Sequence, residues 1–158
     1  MTATTLVAFD PKPQHLGLVR TFKATAAILR GSVVAFDATG VSNSVSPAGT
    51  GLGVVAGVAL MSQATVGGPV PVAMNGSVVT VMMAADDSTV DAGHWVQVGA
   101  VAGTVIEFDP AIGAHAATLT SGAWPLGYTL EDSAVGGATV GSKVLVLINV
   151  CPLFTASA

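Results

Sequence analysis

Residues 57–68 read "GVALMSQATVGG" and residues 127–137 read "GYTLEDSAVGG". With one inserted residue, Gly, Leu, Ala, Val and the closing Gly-Gly align. Other matches keep the same order along the chain. Gly31 and Gly93 each lead a short β-run and lie 62 residues apart. Gly57 and Gly127 are 70 apart, Gly68 and Gly137 are 69 apart, and "GSVVTV" at 76 precedes "GSKVLV" at 141 by 65. The differences fall in loops. The pattern predicts a duplicated unit of about 65 residues. Each unit is a Gly-led strand, a long loop, a "G-(V/Y)-x-L" strand, a "VGG" turn and a "GS-x-V-x-V" strand. The units are expected at 24–84 and 85–150. Two copies are too few for a solenoid, so the expected fold is all-β: one small barrel or sandwich built from two similar strand groups. Gly57 and Gly127 are expected where a side chain would crowd the adjacent strand or force a strained φ.

The composition agrees with strands. The chain of 158 residues is 51% hydrophobic and 9% charged, with 19 glycines. A typical domain is about a quarter charged, so few charges are available to keep this surface wet. Val-rich runs separated by Gly-rich turns read as β-structure. The expected runs are 31–37, 52–60, 93–99, 123–130 and 141–150, with a strand opening the stretch 103–122. Residues 70–84 predict a hairpin turning at Asn75-Gly76. The stretch "VSNSVSPAGTG" (41–51) predicts a polar loop, and Pro125 predicts a bend or edge position.

Residues 1–22 predict an extended N-terminal arm, because Pro11 and Pro13 cannot sit inside a helix or a central strand. Residues 23–150 are expected to form a single β domain, and 151–158 a C-terminal tail. Charge divides along the same line. Residues 1–30 hold Lys12, Arg20, Lys23 and Arg30 against Asp10, a net +3, while 31–158 hold Lys143 against eight acids, a net −7. An acidic body argues against a nucleic-acid partner, which needs clustered Lys and Arg. No stretch reaches the roughly 18 apolar residues of a membrane helix, so no membrane partner is expected. The N-terminus lacks the pattern of a secretory signal. The single Cys151 has no intrachain partner and is expected as a small buried hydrophobe, consistent with synthesis in a reducing cytoplasm.

No motif carries catalysis. "GLGVVA" (51–56) matches a dinucleotide fingerprint, but a strand-like run follows it where a helix is needed, and no acid lies about 20 residues on. His94 lies near Asp91, Asp86 and Asp87, but His15 and His115 sit in unrelated loops, so no metal or cofactor is expected. No serine occupies a nucleophile elbow. Asp86-Asp87 and Glu131-Asp132 are carboxylate pairs in turns, with no geometry that selects a glycosidase pair. Trp95, Trp124 and Tyr128 are expected to fill the core.

The segments "AAILRGSVVAFDATG" (26–40), "LGVVAGVALMSQATVGGPVPVAMNGSVVTV" (52–81), "VDAGHWVQVGAVAGTV" (90–105) and "WPLGYTLEDSAVGGATVGSKVLVLI" (124–148) together resemble small Ala/Gly/Val-rich capsid decoration (cement) proteins of tailed phages and related viruses. The resemblance covers about residues 24–150; the arm and the loop 110–122 depart from the compact pattern. It implies a β-barrel-like protein on the outer capsid surface of the virion. Such a protein bridges major capsid subunits, associates with itself as a homotrimer and uses no cofactor. The arm is the expected contact with capsid or neighbouring subunits, through Phe9, Pro11, Lys12, Pro13, Arg20 and Phe22. The competing expectations are another virion component, such as a tail or fibre protein, a surface β-protein and, last, an enzyme such as a glycosidase.

Overall fold

The computed structural model describes residues 15–37, 43–49, 54–84, 90–108, 125–132 and 143–150. Phe9, Pro11, Lys12, Pro13, Asp86, Asp87, His115, Trp124, Cys151, the loop 110–122, the turn 135–137 and the C-terminal tail lie outside the described residues.

Among the described residues, ten strands form two groups of five. The first contains β1 (Val19–Ala24), β2 (Val33–Phe36), β3 (Ser44–Pro47), β4 (Val55–Ala59) and β5 (Pro69–Ala73). The second contains β6 (Val78–Met82), β7 (Trp95–Val98), β8 (Val105–Phe108), β9 (Pro125–Thr129) and β10 (Lys143–Ile148). The first group closes into a barrel in the order β1-β3-β2-β4-β5; the second is a sheet in the order β6-β10-β9-β7-β8. A parallel bridge between Met83 and Val105 links the two ends of that second sheet. The described residues contain no helix.

The two groups have one topology. Replacing β1 to β5 by β6 to β10 in sequence order reproduces every pairing. β1 runs antiparallel to β5 as β6 does to β10, and β1 lies parallel to β3 as Met83 lies to Val105. Individual hydrogen bonds repeat as well. Gly31 N donates to Ala59 O and Gly93 N to Thr129 O, both at 2.8 Å. Leu60 N donates to Pro71 O and Leu130 N to Leu145 O, both at 2.9 Å. Thr25 N donates to Val45 O as Ala84 N does to Val105 O. Met74 N donates to Leu18 O as Ile148 N does to Ser77 O.

These bonds set the phase of the repeat. The units divide between β5 and β6, not at residue 84. "GSVVTV" therefore opens the second unit, whereas "GSKVLV" closes it, and the two strings pair with each other as β6 and β10 instead of occupying equivalent places. The expected hairpin at Asn75-Gly76 is also corrected. β5 pairs with β1 and β4, and β6 pairs with β10, so the turn joins strands of different sheets. The Asn75 side chain instead grips the end of the last strand: its Oδ1 accepts from Val150 N at 2.9 Å and its Nδ2 donates to Val150 O at 3.5 Å. The expected polar loop 41–51 contains β3. Ser44 and Val45 are buried there, and pairing with β1 and β2 overrides the weak strand propensity of serine.

Gly57 and Gly127 hold the same place. Each faces a valine of the neighbouring strand, Val34 or Val96, and next to each pair the register shifts at a bulge. A Cβ on Gly57 would land on the carbonyl oxygen of Ala73, and one on Gly127 on that of Leu147. The close approach expected from sequence is therefore present at both corners.

Among the described residues, the buried apolar side chains form two clusters. Phe22, Ile28, Val34, Val45, Val70 and Val72 belong to the one inside the first barrel. The other joins residues of both units: Val33, Val58 and Ala73 of the first with Val81, Val96, Leu126 and Val146 of the second. Backbone bonds also cross between the units. Met82 N donates to Gly31 O (3.0 Å), Val33 N to Gly103 O (2.9 Å) and Gly103 N to Ala48 O (2.7 Å). In the first barrel Lys23 N, the counterpart of Met82 N, donates to Asn43 O at 2.9 Å. The first unit thus joins the second at the seam between β6 and β8, where the first barrel closes on itself.

Candidate interaction surface

The candidate contact residues fall in different environments. Arg20 lies exposed on β1. Phe22, on the same strand, is 3% exposed and meets Phe36 edge-on, with centroids 5.5 Å apart and planes at 74°. Phe22 is a core residue of the barrel, and its expected role as a contact is corrected. Strand alternation sends Phe22 and Ala24 inward, while Val19, Thr21 and Lys23 face out.

The arm boundary expected at residue 22 also moves. The body begins by His15, which pairs with Val78: His15 N donates to Val78 O at 3.1 Å and Val78 N to His15 O at 2.6 Å. Gly17 N donates to Ser77 Oγ at 3.0 Å. Between these anchors and β1, three large apolar side chains face solvent: Leu16 is 47% exposed, Leu18 57% and Val19 37%. Residues 15–19 therefore form a fixed apolar strip, and residues 1–14 lead into it.

Trp95 and Tyr128 are corrected from core to outer face. Both are partly exposed, and their rings meet edge-on at 5.8 Å and 62°. Sequence alternation missed this because both faces of these strands carry apolar residues. On β7 the neighbour Val96 is the side chain buried in the core. Beside Trp95, His94 Nδ1 contacts Glu107 Oε1. Asp132 Oδ1 accepts from Ala92 N at 2.8 Å, and Glu131 Oε1 accepts from Leu145 N at 3.0 Å. These carboxylates fasten backbone and ring at one end of the strands β7 to β10. Among the described residues, no group of three or more His, Cys, Asp or Glu side chains is placed to hold a metal ion. No helix among them is long and apolar enough to cross a membrane.

Charge follows the two units. Among the described residues, the first carries Arg20, Lys23 and Arg30 against Asp37; the second carries Asp91, Glu107, Glu131 and Asp132 against Lys143. All three basic residues of the first unit are exposed. The described surface thus carries an apolar strip at residues 16–19, a partly exposed aromatic pair on the second unit, and opposite charge on the two units. Compared with protein-family models and with curated proteins, the chain has no match in either.

Proposed function

We propose that the protein is a capsid decoration protein that binds the outer surface of an icosahedral head and bridges major capsid subunits. The observation that carries this reading is the fixed apolar strip Leu16-Leu18-Val19 at the root of the N-terminal segment. Exposed apolar side chains held in one place by backbone bonds suit burial against a partner. The strip lies where the chain can continue onto a neighbouring subunit, and an extended segment can add a strand to a partner's sheet edge. The low charge of the body suits a protein covered by partners on several sides. The resemblance in sequence supplies the capsid as partner and the trimer as the assembled form. Many copies, each bridging neighbouring subunits, stabilise a shell by avidity.

The test is co-sedimentation with expanded heads of the virus whose genome carries the gene, stripped of this protein. The wild-type chain should saturate the heads. Leu16→Glu/Leu18→Glu should lose binding while keeping its circular dichroism spectrum, and removal of residues 1–14 should weaken it. Failure of the wild type to bind overturns the proposal. Undiminished binding by the double variant overturns the role of the strip.

A further inference from the structure

The outer face of the second sheet carries one continuous row of side chains. Successive pairings set His15 opposite Val78, Val78 opposite Leu147, Leu147 opposite Tyr128, Tyr128 opposite Trp95 and Trp95 opposite Phe108. Val79, Val146 and Val96, each next in sequence to a member of the row, belong to the core, so alternation turns the row outward. His15 is exposed and the other five are partly exposed. Among the described residues of β6 to β10, Lys143 is the one charged side chain on this face, four positions along β10 from Leu147. The row is apolar or aromatic from Val78 to Phe108, so whatever covers it has to bring apolar side chains instead of charge.

His15 is also where the N-terminal segment joins the body, so residues 1–14 enter at one end of the row. They cannot go on as a strand beside β6. That edge is filled by the first unit: Met82 N donates to Gly31 O, and a Cβ on Gly31 would lie 3.3 Å from Thr80 O. The opposite face of the sheet is the core. The sequence before His15 reads "VAFDPKPQ" (7–14), in which Val7, Phe9, Pro11 and Pro13 alternate with Ala8, Asp10, Lys12 and Gln14. That is the pattern of an extended chain with one apolar face. Pro11 and Pro13 fix φ and disfavour helix at Asp10 and Lys12, so less entropy is lost when such a segment is laid down. The lengths match. The strand spacings from His15 to Phe108 come to about 24 Å, and an extended chain from His15 to Val7 spans about 26 Å. We infer that residues 7–14 fold back across the second sheet of their own copy, with Pro13 and Pro11 over Val78, Leu147 and Tyr128, Phe9 over Trp95 and Val7 over Phe108. A chain crossing the strands cannot join their ladder, and prolines, which have no N–H, leave fewer donors unpaired against an apolar row. The inference concerns the protein free of partners and does not rest on the capsid reading. Binding that draws the segment onto a neighbour would bare the aromatic pair.

The experiment is nuclear magnetic resonance on the full, isotope-labelled chain. Cross-relaxation between side chains should place Phe9 beside Trp95 and Pro11 beside Tyr128. In a mixture of labelled and unlabelled copies, no such contact should pass from one copy to another. Val7→Ser/Phe9→Ser changes no residue of the ten strands, so its β-sheet dichroism should match wild type. It should lose the contact between Pro11 and Tyr128 and shift the ring resonances of Trp95, Tyr128 and Phe108. The rings of Phe22 and Phe36, in the first barrel, should keep their positions. A wild type with no contact between Phe9 and the row overturns the inference. So do row resonances that ignore the variant, contacts found only between copies, or row resonances that move with protein concentration, which would mark a second copy on the row.

Discussion

At the scale of single residues, backbone proximity and buried polarity set the strongest constraints. Gly57 and Gly127 sit where a methyl group has no room, because the carbonyls of Ala73 and Leu147 occupy the position. Gly57→Ala and Gly127→Ala should each lower the stability measured by urea unfolding by about 3 kcal/mol, the upper end for forced overpacking. Gly49→Ala is the control, since nothing lies within 4 Å of its Cβ position; its change should stay within about 0.5 kcal/mol. Gln97 gives the opposite sign. It is fully buried, neither its Nε2 nor its Oε1 has a hydrogen-bond partner among the described residues, and it faces Ile106 and Pro125 across the strands. Its counterpart in the first unit is the apolar Ala35. Gln97→Met keeps most of the volume and removes an unpaired amide, so it should raise stability by about 1–2 kcal/mol in the same assay. The two glycine corners were legible in the sequence, because a glycine repeated inside matching strands signals close approach. The buried Gln97 was not: a polar residue in an alternating run reads as outward, and Gln97 does lie on the outer side, in a part of that face that is covered.

At the scale of elements, the strand signals held wherever valine runs met glycine turns, and failed where pairing alone decides. β3 is drawn from "SVSP", which has few of the residues that favour strands, and only its position between β1 and β2 makes it one. The Asn-Gly turn after β5 predicts a hairpin because that dipeptide suits one, yet the chain there leaves one sheet for another. The same turn explains how β10 is held at its end. Asn75→Ala removes both hydrogen bonds to Val150. It should cost about 1 kcal/mol and speed amide exchange at Val150 while leaving Val146 in mid-strand protected. The phase of the repeat differs from the expected one for a related reason. "GSVVTV" and "GSKVLV" are alike because they are adjacent antiparallel strands with the same inward valines, Val79 and Val81 beside Val144 and Val146. Similar strings thus marked partners instead of equivalents, and only the pairing order separates the two cases. The apolar strip at residues 16–19 was partly legible as the root of an arm; its anchoring by His15 and Gly17 depends on β6, about 60 residues away along the chain.

At the scale of the whole molecule, the two units share one core cluster and exchange backbone bonds at Gly31, Val33 and Gly103. Val33, Val58 and Ala73 on the outer face of the first unit are buried only in the cluster they share with the second. Chemical unfolding should therefore be a single transition, with far-ultraviolet dichroism and tryptophan fluorescence giving the same midpoint, although Trp95 lies in the second unit. Two separated midpoints would show that the units fold independently. The shared core also bears on the proposed role. A single body with an apolar strip at residues 16–19 and a partly exposed Trp95–Tyr128 pair on the second unit offers separate surfaces to several neighbours, as the proposed bridging of capsid subunits requires. The most direct measurement is a cryo-electron microscopy reconstruction of expanded heads, bare and after saturation with the protein. The account predicts added density at ordered positions on the outer surface, fitted by the two joined five-strand units, with residues 16–19 facing the shell. A saturated head whose surface matches the bare one, or density confined to the tail, would contradict it.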